Sequence, residues 1–146
     1  MESKKIVHIL LVEDNEGDII LTLDAFEESK INTEISVARN GQEALDFLYK
    51  RATFTEAKKP DLILLDINLP IYNGHEVLKK IKENERTRHI PVAILTTSSA
   101  ISDINLTYEN YANCFITKPA DINDFFETIN ALSNYWFNIC KLPSKK

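Results

Sequence analysis

The chain from Ile6 to Val12 is apolar at every position except His8. A short unbroken apolar run fits a strand covered on both faces, as in a parallel sheet. The β-branched Ile6, Val7, Ile9 and Val12 favour that reading over a helix segment. The run stops at Glu13-Asp14-Asn15, which is turn material. Ile19, Ile20, Leu23, Ala25 and Phe26 then recur at spacings of three and four, predicting a helix that Asp14 or Asn15 caps. Glu34 to Ala38 alternates like a short strand, and Asn40-Gly41 punctuates. Ala44, Leu45, Leu48 and Tyr49 form a second helical face, followed by a loop with a partial turn from Thr53 to Pro60. Leu62 to Leu65 is a third strand ending in Asp66. Asn68 to Gly74 reads as a loop, and Val77, Leu78 and Ile81 mark the next helix. Pro91 to Leu95 is a fourth strand, ending at Thr96-Thr97-Ser98-Ser99. Ile101, Ile104, Leu106 and Tyr108 give a weak helical signal. Cys114 to Thr117 is a short fifth strand ending at Lys118-Pro119, and a last helix begins near Asp121.

Strand and helix therefore alternate five times. That order implies βαβ units with right-handed crossovers. The expected fold class is α/β: a doubly wound, five-stranded parallel sheet in the flavodoxin-like order 2-1-3-4-5, with helices on both faces. A length of 146 residues and 44% hydrophobic composition suit one ordinary globular domain. No composition shift marks a second one, so residues 1–146 read as a single domain, with a core at about 5–134 and an extension at 135–146.

A net charge of -5 lacks the basic field that non-specific nucleic-acid binding needs. No run approaches the roughly 18 apolar residues of a membrane span. The amino-terminal segment lacks the small-residue cleavage signature of a secretory signal. Cys114 and Cys140 have neither metal spacing nor a disulfide framework. A cytoplasmic protein with no direct nucleic-acid or membrane partner is the expectation.

Sites in open α/β sheets form outside the carboxyl ends of the strands. Those ends carry Glu13, Asp14, Asp66, Thr96 and Lys118. With strand 1 between strands 2 and 3, they converge on one rim. Single acids at strand ends often do no more than start solvated loops. Clustered carboxylates, however, repel one another and raise each other's pKa values. A hard divalent cation relieves that repulsion, and Mg²⁺ fits best. A carboxylate can also be a nucleophile toward phosphorus, with a cation and a lysine clamping the phosphoryl oxygens.

The segments from Ile9 to Asn15 and from Leu62 to Pro70, together with Gly74, Leu95-Thr96 and Lys118-Pro119, resemble the receiver domain of bacterial two-component response regulators. The spacings agree too, with 30 residues from Asp66 to Thr96 and 22 from Thr96 to Lys118. The resemblance covers roughly residues 5–134. It implies that Asp66 is the phosphoacceptor, forming an aspartyl phosphate. It implies Mg²⁺ held by Glu13, Asp14, Asp66 and the backbone carbonyl of Asn68, with Glu13 reaching the metal through water. It further implies that Lys118 pairs with Asp66 at rest, that Thr96 swings toward the phosphoryl group and that Phe115 is an aromatic switch. Phe115 also reads as simple core packing. The Lys118-Pro119 bond resembles the family's cis proline.

Gly74 either relieves a backbone clash or supplies a positive φ near Asp66. Asp18 reads as a solvated first-turn residue favoured by the helix dipole. Alternation aims Thr97 away from Thr96. His8, His75 and His89 have no metal or catalytic spacing, and Cys114 reads as a buried hydrophobe.

The aromatic tail from Asn134 to Pro143 either folds back over its own helices or forms an interface. The tail, the Thr96-Thr97-Ser98 stretch and the insert from Arg51 to Pro60 resemble stand-alone receivers paired with bacterial phytochrome kinases. That subgroup implies a sensor histidine kinase, with a bacterial phytochrome as the candidate, as phosphodonor, and a homodimer using the helix 4–strand 5–helix 5 side and the tail. Output then runs through protein contacts or a downstream phosphotransfer protein. The chain would be no enzyme in the turnover sense, beyond weak self-dephosphorylation. A phosphorylation-independent adaptor of the same fold is the alternative. A haloacid-dehalogenase-type phosphatase is disfavoured because Asp66-Ile67-Asn68 lacks its second aspartate, and a flavin carrier because the loop after strand 1 is acidic.

Overall fold

A computed structural model describes residues 6–143. Five parallel strands form one sheet in the order β2-β1-β3-β4-β5. They are β1 (Val7–Val12), β2 (Thr33–Ala38), β3 (Leu62–Leu65), β4 (Val92–Thr96) and β5 (Cys114–Thr117). The helices between and after them are α1 (Glu16–Glu28), α2 (Gly41–Leu48), α3 (Gly74–Glu83), α4 (Ile101–Glu109) and α5 (Ile122–Asn134). The expected architecture and order are what the chain adopts. Boundaries shift by about a residue: Ile6 lies outside β1, Thr33 extends β2, and β4 runs from Val92 through Thr96. Tyr49 is the C-cap of α2 and not part of it, and the partial turn is a 3-10 helix over Ala52–Phe54.

Side-chain alternation along the strands divides the core into two layers. Leu10, Val12, Ile63, Leu65, Val92 and Ile94 pack with α2 and α3. Ile9, Leu11, Leu62, Leu64, Ala93 and Leu95 pack with α1 and α5. The central strands are buried on both faces, which is why their sequences are apolar runs. β5 is an edge strand and only half-buried.

Helix starts follow the strand ends because Asn and Asp cap them. Asn15, Asn40 and Asp121 each accept a backbone N–H three residues on. Asn73 and Glu76 form a reciprocal capping box at α3. α4 has Ala100 at its N-cap position and so no side-chain cap, and Thr107 is its sole buried residue, matching its weak periodicity.

The resemblance to a cis proline does not hold here. No peptide bond among the described residues is cis, so Lys118-Pro119 is trans, the form that the great majority of X-Pro bonds take.

The tail leaves α5 through a π-helical turn, Tyr135–Ile139, with the Cys140 N–H donating to the Tyr135 carbonyl at 2.8 Å. Trp136 and Phe137 pack against the core layer of α1 and α5. Tyr135 and Ile139 face outward, 51% and 64% exposed. The tail thus folds back over its own domain through one pair of side chains and presents another to solvent.

Candidate functional site

The parallel register brings the carboxyl ends of β1, β3, β4 and β5 to one rim. Val12 pairs with Leu65, Leu65 with Ile94, and Thr96 with Thr117. One residue further on lie Glu13, Asp66 and Lys118, carried by continuing backbone bonds. The Glu13 N–H donates to the Ala38 carbonyl at 3.0 Å, that of Asp66 to Val12 at 3.0 Å, and that of Lys118 to Thr96 at 2.6 Å.

Carboxylate oxygens of Glu13, Asp14 and Asp66 all lie within 4.8 Å of one another. Glu13 and Asp66 are buried and Asp14 is exposed. This arrangement suits a hard cation that is held on one side and keeps waters or phosphate oxygens on the other. The Asn68 N–H donates to Asp66 Oδ1 at 3.2 Å, which orients the carboxylate and places Asn68 on the exposed lip of the site. Thr96 is fully buried, and its Oγ1 accepts a long 3.4 Å bond from the Ser98 N–H. Thr97 is exposed and directed elsewhere. Phe115 is half-buried against the layer of α2 and α3.

Lys118 holds the acids together. Its Nζ donates to Glu13 Oε1, to Asp18 Oδ2 at 2.8 Å and to Asp66 Oδ2 at 3.2 Å, and its side chain is 5% exposed. Asp18 is therefore not a freely solvated helix residue. One turn after Asp14, it faces the rim and takes a share of the lysine charge, a contact across 100 residues of chain. Its signal in sequence is its place in the first turn of the helix that Asn15 caps, directly after the acidic end of β1.

Burial raises Glu13 to about 7, desolvation and the nearby Asp66 charge outweighing the Lys118 hydrogen bond and charge. Burial alone would lower Lys118, but its hydrogen bonds to Asp18 and Glu13 and the charges of Asp66 and Glu13 hold it well above the ordinary lysine value.

Two glycines let the rim close. A Cβ on Gly74 would stand 2.3 Å from the Asp66 carbonyl oxygen and 2.5 Å from Ile67 Cα. No glycine among the described residues has a positive φ, so Gly74 is needed for close approach and not for turn geometry. Its N–H donates to the Ile67 carbonyl at 2.7 Å. A Cβ on Gly41 would meet the Tyr72 carbonyl oxygen at 2.4 Å, so that glycine packs the loop after β3 onto α2. The same loop holds Ile71 at a φ of 70, 70% exposed, which is strained for a β-branched residue.

A polar chain lies beside the rim. Ser98 Oγ donates to Asp103 Oδ2 at 2.6 Å, and Asp103 Oδ1 lies 2.9 Å from His75 Nε2. The hydrogen bonds from Ser98 and His75 lower the Asp103 pKa. This links α3, the loop after β4, and α4. The spacing of His75 gives no hint of it, since its partner Asp103 is 28 residues away.

The response regulator receiver domain profile matches residues 9–130. Response regulator Rcp1 of Synechocystis sp. is 38% identical over 136 residues, 93% of this chain and 92% of that protein. The crystal structure of the phosphorylated cyanobacterial phytochrome response regulator RcpA superposes with a TM-score of 0.92 at 38% identity, covering 96% of this chain and all of that one. The Mn²⁺-bound form of Rcp1 superposes with a TM-score of 0.90 at 37% identity, covering 94% of this chain and 99% of that one. The chain belongs to the response regulator receiver domain family and is related to the phytochrome response regulators.

Proposed function

We propose that the protein is a single-domain receiver, residues 1–146, that accepts a phosphoryl group on Asp66 from a histidine kinase of phytochrome type and switches protein contacts in response. The observation that carries this is the Asp66 carboxylate, buried yet within reach of two further acids, with the Lys118 ammonium 3.2 Å away.

Glu13, Asp14 and Asp66, with the Asn68 backbone carbonyl, would hold a divalent cation; the donor set is all oxygen, which suits Mg²⁺, and the relative Rcp1 has a Mn²⁺-bound form. Bound there, the cation neutralises the acids and draws charge from the phosphoryl oxygens. An Asp66 oxygen attacks phosphorus, the new O–P bond forms as the donor's P–N or P–O bond breaks, and the leaving group keeps that electron pair. Lys118 moves its hydrogen bond from the free carboxylate to a phosphoryl oxygen. Thr96 turns its hydroxyl toward the same group, and Phe115 follows it inward as the switch. Water later hydrolyses the acyl phosphate, so the protein is a timed acceptor and not a turnover enzyme.

The output face is the α4–β5–α5 side. Ile101, Leu106, Tyr108, Tyr111 and Ile122 are exposed there, an apolar concentration that suits a second copy of the chain. No described helix is long and apolar enough to cross a membrane. In this reading the protein acts in the cytoplasm on protein partners, a downstream phosphotransfer protein among them.

The test is intact-protein mass after incubation with acetyl phosphate and Mg²⁺. One phosphoryl group should be gained, and lost when Mg²⁺ is omitted or Asp66 is replaced by Asn. Labelling of Asp66→Asn at full stoichiometry would remove Asp66 from this role. No labelling with acetyl phosphate or with a cognate kinase would favour a phosphorylation-independent adaptor. Light scattering tests the dimer: a single-chain mass at high concentration, with and without phosphodonor, refutes it.

A further inference from the structure

We infer that Asp18 is a positioning residue that tethers Lys118 while the lysine's other two partners change. This rests on the phosphoacceptor reading of Asp66. An ammonium has three N–H donors, and Lys118 commits all of them to carboxylates, those of Glu13, Asp18 and Asp66. Two of these acids have other work to do. Glu13 belongs to the acid cluster that suits a cation, and one Asp66 oxygen becomes the bridging oxygen of the acyl phosphate. Asp18 stands outside that cluster, so it is the partner that stays.

A lysine side chain only 5% exposed needs a fixed counter-charge throughout, because a buried ammonium without one is strongly disfavoured. Asp18 is built to be fixed. Its N–H donates to Asn15 Oδ1 at 2.9 Å, and its carbonyl accepts from Thr22 Oγ1 at 2.7 Å. The helix cap thus sets where its carboxylate points. With Asp18 holding one donor, Lys118 can turn another from Asp66 to a phosphoryl oxygen without moving its amine.

The experiment compares wild type, Asp18→Asn, Asp18→Glu and Asp18→Asn in a Lys118→Ala background. Three readouts are taken: the rate of Asp66 labelling by acetyl phosphate at saturating Mg²⁺, the Lys118 ammonium signal by ¹⁵N NMR, and cation affinity by Mn²⁺ titration. Asp18→Asn should label roughly ten-fold more slowly, the scale of one hydrogen bond to a charged group. Asp18→Glu should recover most of that rate, and the Asn substitution should add nothing once Lys118 is gone. With Mg²⁺ present, the ammonium signal should stay slow to exchange in wild type and broaden away in Asp18→Asn. Cation affinity should not weaken. An Asp18→Asn protein that labels as fast as wild type, or faster, overturns the tether. If wild type itself takes no phosphoryl group, the acceptor reading fails, and the NMR signal still decides the tether: loss of the wild-type signal on adding Mg²⁺ overturns it.

Discussion

Glu13 carries the pH response of the rim. Its ordinary value of 4.5 is raised to about 7 in the folded chain. The folded state therefore holds a proton that the unfolded state has released across that window. Folding stability without cation should fall as pH rises from about 4.5 to about 7 and level off above it. A cation must displace the same proton, so Mg²⁺ should bind more tightly at about pH 8 than at about pH 6, with proton release at the lower pH. Calorimetry in two buffers of different ionisation heat measures both. Equal affinity at the two pH values would mean Glu13 is ionised throughout. Gly74→Ala drives a methyl into the backbone of Asp66 and Ile67, and neither can yield cheaply. It should cost about 2 kcal/mol or more by urea denaturation and slow Asp66 labelling as the acceptor loop shifts.

Among the elements, α4 stands apart. It has no side-chain cap and buries only Thr107, so its position depends heavily on the hydrogen bonds that Asp103 accepts from Ser98 and shares with His75. Asp103→Ala removes the acceptor of Ser98 Oγ and the partner of His75 Nε2 and should cost about 1–2 kcal/mol. Amide exchange should quicken in α4 and the loop after β4, while the strands β1 and β3 keep their protection. The depressed Asp103 pKa means that the contribution of this carboxylate is present above its ordinary value of 3.8 and is lost only as pH falls below it. Strand β5 is the other loosely held element, half-buried at the sheet edge with Phe115 on its face toward α2 and α3. A receiver that switches through this side needs elements whose local stability is low.

For the whole molecule, the tail closes the end of the domain opposite the acidic rim. Trp136 and Phe137 cover the core layer of α1 and α5, and Tyr135 stacks edge-on against Trp136 with centroids 5.6 Å apart. Trp136→Ala removes half-buried apolar area and should cost about 1–2 kcal/mol. If the tail serves its own domain alone, the mass by light scattering should not change in that variant. A drop from dimer to monomer would place the tail in the interface as well.

The alternation of apolar runs with helical periodicity was enough to specify a doubly wound sheet. Runs such as Leu62 to Leu65 are stable only where both faces are covered, and Asn and Asp caps mark where helices must begin. The acids, hydroxyl and lysine at the strand ends were legible for the same reason, because parallel strands place all their carboxyl ends on one side. What the sequence left open depended on contacts between distant segments. Asp18 looks like any first-turn acid until β5 brings Lys118 to it, and His75 looks idle until α4 brings Asp103. Whether Gly74 served a turn or a close approach was decided by the backbone of Asp66, and the fate of the aromatic tail by the core surface left uncovered beside α1 and α5. Local pattern determines elements because it acts through neighbouring residues; the third partner of a buried lysine is set only when the sheet has assembled.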